Sequence, residues 1–141
     1  MFRFHGDADA AAVSIVYDGR PPRDGLLGFA FHDRDGIPGA FTVSEPSSAS
    51  GWWPCKDVPD DKLTARITIE VPDTLYAGSN GRLTSDESAG GRRRMTWQES
   101  WPIAPYLIGI ACTKYEPYEE IDEAKDGRSL PLLFLPYPEQ R

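Results

Sequence analysis

Residues 63–71 read LTARITIEV, with Leu63, Ala65, Ile67, Ile69 and Val71 on one side of an extended chain and Thr64, Arg66, Thr68 and Glu70 on the other. A period of two held this long commits the segment to a strand with one dry face and one wet face, and such a strand needs neighbours. The rest of the sequence supplies them. AVSIVY (residues 12–17) closes at Asp18-Gly19, LLGFAFH (26–32) at the turn DRDG (33–36), and AFTVSE (40–45) at Pro46. TLYAGSNGRLTS contains Asn80-Gly81, which predicts a tight turn between two short strands. Residues 93–100 predict a further strand and residues 106–116 a mostly buried one. Thirteen glycines and thirteen prolines punctuate these runs, so the expected class is all-β, a sandwich or saddle-shaped arrangement of sheets.

The C-terminal segment differs. EPYEEIDEAKDGR is charged and predicts a short helical turn or a linker. LPLLFLPYPEQR is apolar but carries three prolines, so it is not a central strand throughout. Residues 1–120 are therefore expected to form the β domain and 121–141 an extended tail.

With 141 residues, one domain with one core is the natural reading. A net charge of −7 argues against a nucleic-acid groove and against docking on anionic lipid. The basic triplet Arg92-Arg93-Arg94 lies in a Gly- and Ser-rich stretch and reads as a solvated loop. No run reaches the ~18 apolar residues that span a bilayer. Cys55 and Cys112 are far apart in sequence and are expected as free thiols.

Self-contained chemistry is hard to find. There are two histidines, His5 and His32, with no H-E-x-x-H pattern, G-x-S-x-G elbow, P-loop or dinucleotide fingerprint. His32 beside Asp33 reads as a turn pair rather than an acid/base couple. Asp57, Asp60 and Asp61 lack the alternating ligands and central glycine of a calcium loop. No catalytic residue and no metal ligand is expected in this chain.

EPSSASGWWPCKDVPDDK (45–62) opens on Glu45-Pro46 and packs two tryptophans, a cysteine and two further prolines behind it. Thr42, Glu45, Pro46, Ala49, Pro54, Cys55, Asp57, Pro59 and Lys62 are followed by Val71-Pro72, Ser79-Asn80-Gly81, Pro102-Ile103, Tyr106-Leu107-Ile108 and Tyr115. In that order, these blocks resemble the N-terminal domain of the M1 family of zinc aminopeptidases. Val43, Ser50 and Trp53 depart from the family's usual glutamine, arginine and phenylalanine. The family's G-x-M-E-N loop and H-E-x-x-H zinc helix have no counterpart here, and the family has further strands ahead of VSIVYDG. The resemblance therefore implies a part of a larger enzyme, with zinc and catalysis in a neighbouring domain of the same protein.

It also implies a role for Glu45 in meeting the α-ammonium group of a peptide N-terminus, an ion with a pKa of about 7.7–8.0. Pro46 restricts the backbone of Glu45. The sharp turn makes Glu45–Pro46 a candidate for a cis bond, and Trp52, Trp53 and Pro54 are expected to stiffen the platform behind it. Asp57 and Lys62 are expected to settle the following turn. A competing reading is a non-enzymatic β module binding carbohydrate or protein through exposed Trp52, Trp53, Trp97 and Trp101; it requires exposed rings. An uncovered apolar face and an open sheet edge would also favour self-association.

Overall fold

The computed structural model describes residues 2–7, 10–21 and 28–140. Among them are eleven strands and three short 3₁₀ turns, and no α-helix. The strands are β1 (Phe2–Asp7), β2 (Ala10–Ile15), β3 (Gly28–Arg34), β4 (Ile37–Val43), β5 (Leu63–Pro72), β6 (Tyr76–Ser79), β7 (Arg82–Ala89), β8 (Arg92–Ile103), β9 (Ile110–Thr113), β10 (Tyr118–Glu123) and β11 (Ser129–Phe134). They form a four-stranded sheet in the order β3-β4-β9-β6, a three-stranded sheet β5-β8-β7, and two hairpins, β1-β2 and β10-β11. All the described pairings are antiparallel. Residues 26 and 27, at the start of the run expected before β3, and the side chain of His5 lie outside the described residues.

β5 keeps its predicted alternation, with Thr64, Arg66, Thr68 and Glu70 exposed and the residues between them turned inward. The inward row, with Met95 and Trp97 of β8, meets Leu75, Tyr76 and Ala77 to form the core between the two larger sheets. The outer edge of β6 is closed by side chains rather than by a strand. The Ala77 N–H donates to Met95 Sδ at 3.3 Å, and Trp97 Nε1–H donates to the Ala77 carbonyl at 3.1 Å. Two buried backbone groups are thereby satisfied without a ladder.

Three expectations are corrected. Asn80-Gly81 does not close a hairpin: β6 pairs with β9 and β7 with β8, so this turn carries the chain from one sheet to the other. The arginine triplet is not a loop. The turn is Gly90-Gly91, both at positive φ, and Arg92–Arg94 begin β8. Arg92 and Arg94 bond Glu70 on the wet face, and Arg93 turns inward to Asp86. The charged tail is neither a helical turn nor a linker but the hairpin β10-β11, turned at Gly127 (φ 81°), with Tyr118 stacked on Phe134 at 4.9 Å. Beyond it, Tyr137 packs on Tyr115 and under the guanidinium of Arg34, which also pairs with Glu139. The C-terminal segment is thereby tied to the β3-β4 hairpin.

Candidate functional site

β4 delivers the chain to a corner. Its last residue is Val43, so Glu45 lies two residues past the strand instead of closing it. Ser44 is buried, and hydrogen bonds fix the residues after it. The Ser48 N–H donates to the Ser44 carbonyl at 2.8 Å, Trp52 Nε1–H donates to Ser44 Oγ at 2.9 Å, and the Trp52 and Trp53 N–H groups both donate to the Ala49 carbonyl at 3.1 Å. Ala49 is fully buried beneath a 3₁₀ turn, Ala49–Gly51, and the Glu45–Pro46 bond is cis. Glu45 itself is exposed, and among the described residues its carboxylate has no hydrogen-bond or ion-pair partner.

The aromatic residues behind it form a chain of tilted contacts. Phe29 lies 6.0 Å from Trp52, Trp52 lies 6.2 Å from Trp53, and Tyr17 Oη–H donates to the Trp52 carbonyl at 3.2 Å. Asp57 ties the far side, accepting from both the N–H and the hydroxyl of Ser50 at 3.0 Å. Lys56 pairs with Asp61 at 3.4 Å across the Pro59 turn. Asp57 thus holds the loop, as expected of it, whereas the cation that braces this turn is Lys56 rather than Lys62. Burial pushes the Cys55 thiol up, and the nearby Asp57 carboxylate adds to the effect, which is the opposite of what an activated nucleophile needs. Both cysteines are free.

The sequence blocks separated along the chain converge on this corner. Thr42 Oγ1 accepts from the Ile110 N–H at 2.9 Å, Asn80 Nδ2 donates to the Leu107 carbonyl at 2.9 Å, Asn80 Oδ1 accepts from the Gly109 N–H at 2.7 Å, and Ser79 Oγ donates to the Gly109 carbonyl at 2.7 Å. The motif residues Thr42, Ser79 and Asn80 thus lock the loop that enters β9 against the end of β4. Thr42, Ser79 and Asn80 border a cavity of about 530 Å³ together with Gly78, Ala111 and Leu135. Asn80 was visible in the sequence as part of the S-N-G block, but its partners, the Leu107 carbonyl and the Gly109 N–H, were not.

Elsewhere the candidate chemistry dissolves. Asp33 Oδ1 accepts from the Gly36 N–H at 2.8 Å and caps the β3-β4 turn, while the His32 ring crosses Gly39 toward Phe41. Among the described residues no group of three or more His, Cys, Asp or Glu side chains is placed to hold a metal ion. Trp97 is 2% exposed and Trp101 80%, with Trp52 and Trp53 half-buried, so the four rings do not share an open platform.

The architecture is that of an all-β domain with a rigid, acid-tipped corner. A family model, the Peptidase M1 N-terminal domain, matches residues 5–107, and the chain belongs to that family. Aminopeptidase M1 of Arabidopsis thaliana is 35% identical over 88 residues, covering 62% of this chain and 10% of that protein. Glutamyl aminopeptidase of Homo sapiens is 32% identical over 101 residues, 71% of this chain and again 10% of the relative. The chain therefore spans about a tenth of these relatives' length. A solved two-domain M1 zinc metallopeptidase bound to L-arginine superposes with a TM-score of 0.75 over 97% of this chain and 35% of its own, at 20% identity. That likeness concerns the fold.

Proposed function

We propose that this domain supplies the edge of an M1-type aminopeptidase that captures the free amino group of a peptide substrate, with Glu45 as the capturing residue. The observation that carries the reading is an exposed, unpartnered carboxylate on a corner whose backbone is fixed on both sides. An ammonium group arriving there exchanges water for a charge-assisted hydrogen bond. The stiff Ser44–Trp52 corner reduces the ordering cost of that contact. Val43, where the family usually has glutamine, places an apolar, 40% exposed side chain two residues before Glu45 and offers no hydrogen bond to the substrate backbone.

The structural relatives are zinc metallopeptidases. The described side chains of this chain do not assemble a set that fits zinc, so no hydrolytic step is derived from them. In this reading zinc and the hydrolytic groups belong to a catalytic domain of the same protein, and the present chain binds and orients.

Glu45→Ala tests the role in two settings. In the isolated chain it should change unfolding free energy by no more than about 0.5 kcal/mol, as at other surface sites. In the enzyme that carries this domain it should lower kcat/KM for aminoacyl reporter substrates by roughly thirty- to a thousand-fold, about 2–4 kcal/mol. Loss of the fold, or unchanged kinetics, would refute the assignment.

A further inference from the structure

β5 ends its three-stranded sheet, and no described strand pairs with its outer edge. The edge runs for ten residues; its irregularity is confined to Leu63–Ala65 and its one proline is the last residue. Its protections are confined to its two ends, the irregularity at Leu63–Ala65 and Pro72, and to Arg92 Nη2, which donates to the Glu70 carbonyl at 3.2 Å; between them it has no lysine and points no charge inward. Ile67 and Ile69, on the face that packs against the core, remain only partly buried.

Set antiparallel against a second copy, the strand is self-complementary in one register. With Thr68 opposite Thr68, Arg66 falls opposite Glu70 twice on the wet face. On the inner face Ile67 falls opposite Ile69 twice, and Ala65 opposite Val71 twice. Centring on Ile67 instead opposes Arg66 to Thr68 and leaves the charges unmatched, while centring on Arg66 or Glu70 opposes like charges. Centring between two residues sets the dry face against the wet one. The Thr68 register also extends a row of alternating charge already present, Glu87 on β7, Arg94 on β8 and Glu70 on β5. Arg66 of a second copy comes next in that row.

We propose that β5 is a homodimerisation edge: two copies pair antiparallel about a two-fold axis at Thr68 into one continuous six-stranded sheet. An isologous contact of this kind closes on itself. Backbone bonds and the apolar row supply the affinity, and the exposed Arg66–Glu70 pairs set the register and the choice of partner. The proposal is independent of the role given to Glu45.

Sedimentation equilibrium on the whole chain tests it. The wild type should reach twice the 15.7 kDa chain mass. Arg66→Glu and Glu70→Arg, which place like charges opposite each other at two symmetric positions, should each weaken the dimer by about tenfold or more. Thr68→Lys should do the same by opposing two ammonium groups at the axis. Far-UV circular dichroism establishes that each variant keeps its strand content, and Thr68→Lys carries the test if either charge reversal unfolds. An equimolar mixture of the Arg66→Glu and Glu70→Arg chains should dimerise again. In the mixed pair the glutamate introduced at position 66 meets the arginine introduced at position 70, and the unchanged Glu70 of the first chain meets the unchanged Arg66 of the second. A wild type that stays monomeric at millimolar concentration overturns the proposal. So does a dimer indifferent to these substitutions, or a mixture of folded variants that fails to recover.

Discussion

Replacing Asp86 with asparagine removes one charge from the inner side of the β7-β8 pair while keeping the side chain's shape. Arg93 Nε and Nη2 donate to the two Asp86 oxygens at 2.7 and 2.6 Å, a fork-to-fork pair whose side chains are only 26% and 30% exposed. The same guanidinium lies 4.9 Å over the ring of Tyr76, which belongs to the core. Hydrogen bonds to charged groups contribute about 1.5–3 kcal/mol each, and the residual solvent contact reduces that. Asp86→Asn should therefore cost about 1.5–2.5 kcal/mol at neutral pH, or about 5–9 °C in Tm for a domain of this length. The Arg93 hydrogen bonds, and secondarily its charge, hold the Asp86 carboxyl below its ordinary value, while burial opposes them. A carboxyl lowered in the folded state contributes its full stability above the unfolded-state value, near pH 4, and loses it as pH falls through the folded-state value. The difference between wild type and Asp86→Asn, measured by urea denaturation, should hence be full at pH 7 and shrink progressively as pH falls below about 4. A difference within about 0.5 kcal/mol at pH 7, or one that does not shrink in acid, refutes this account of the pair.

Gly81→Ala should be among the most damaging single substitutions. The residue sits at φ 83°, and an added Cβ would lie 2.1 Å from the Gln98 carbonyl oxygen; strain and overpacking together should cost about 2–4 kcal/mol in chemical denaturation. In tryptophan fluorescence, iodide should quench the exposed Trp101 and leave Trp97 untouched, so Trp101→Phe should remove most of the quenchable signal. If quenching persists unchanged in Trp101→Phe, the burial assigned to the other rings is wrong.

The strands were most legible where burial alternates strictly. β5 was readable almost to the residue because every second side chain faces the core, whereas β8, expected over 93–100, starts at Arg92 and runs on to Ile103, where its burial no longer alternates. The arginine triplet misled because three like charges suggest solvent, yet a strand sends Arg93 to one face and its neighbours to the other, where Glu70 waits. Asn80-Gly81 misled in a different way. The dipeptide does supply a positive φ at Gly81, but the Asn80 side chain is committed to the loop at residues 107–109, a long-range choice that local turn chemistry does not encode. The β10-β11 hairpin was missed because β10 has little apolar pattern and Pro131 demotes its partner; the Asp126-Gly127 dipeptide between them was the available signal. Glu45 was singled out through the family resemblance, whereas the Ser44–Trp52 bond that braces its corner, between residues eight apart, had no sequence signature.

The bond from Ile110 to Thr42 joins residues 68 apart, and those from Asn80 to the loop before β9 span 27 and 29. The end of β4 that leads to Glu45 is therefore braced by non-local pieces, and loop-closure entropy must be met before any of them holds. A peptide covering residues 37–62 alone would contain the glutamate, the proline and both tryptophans but lack the β9 and β6 partners that brace the end of β4. Such a peptide would keep the bonds that close the 44–57 loop on itself but lose those that anchor the strand leading into it, so the loop's own shape and its placement on the sheet have separate sources.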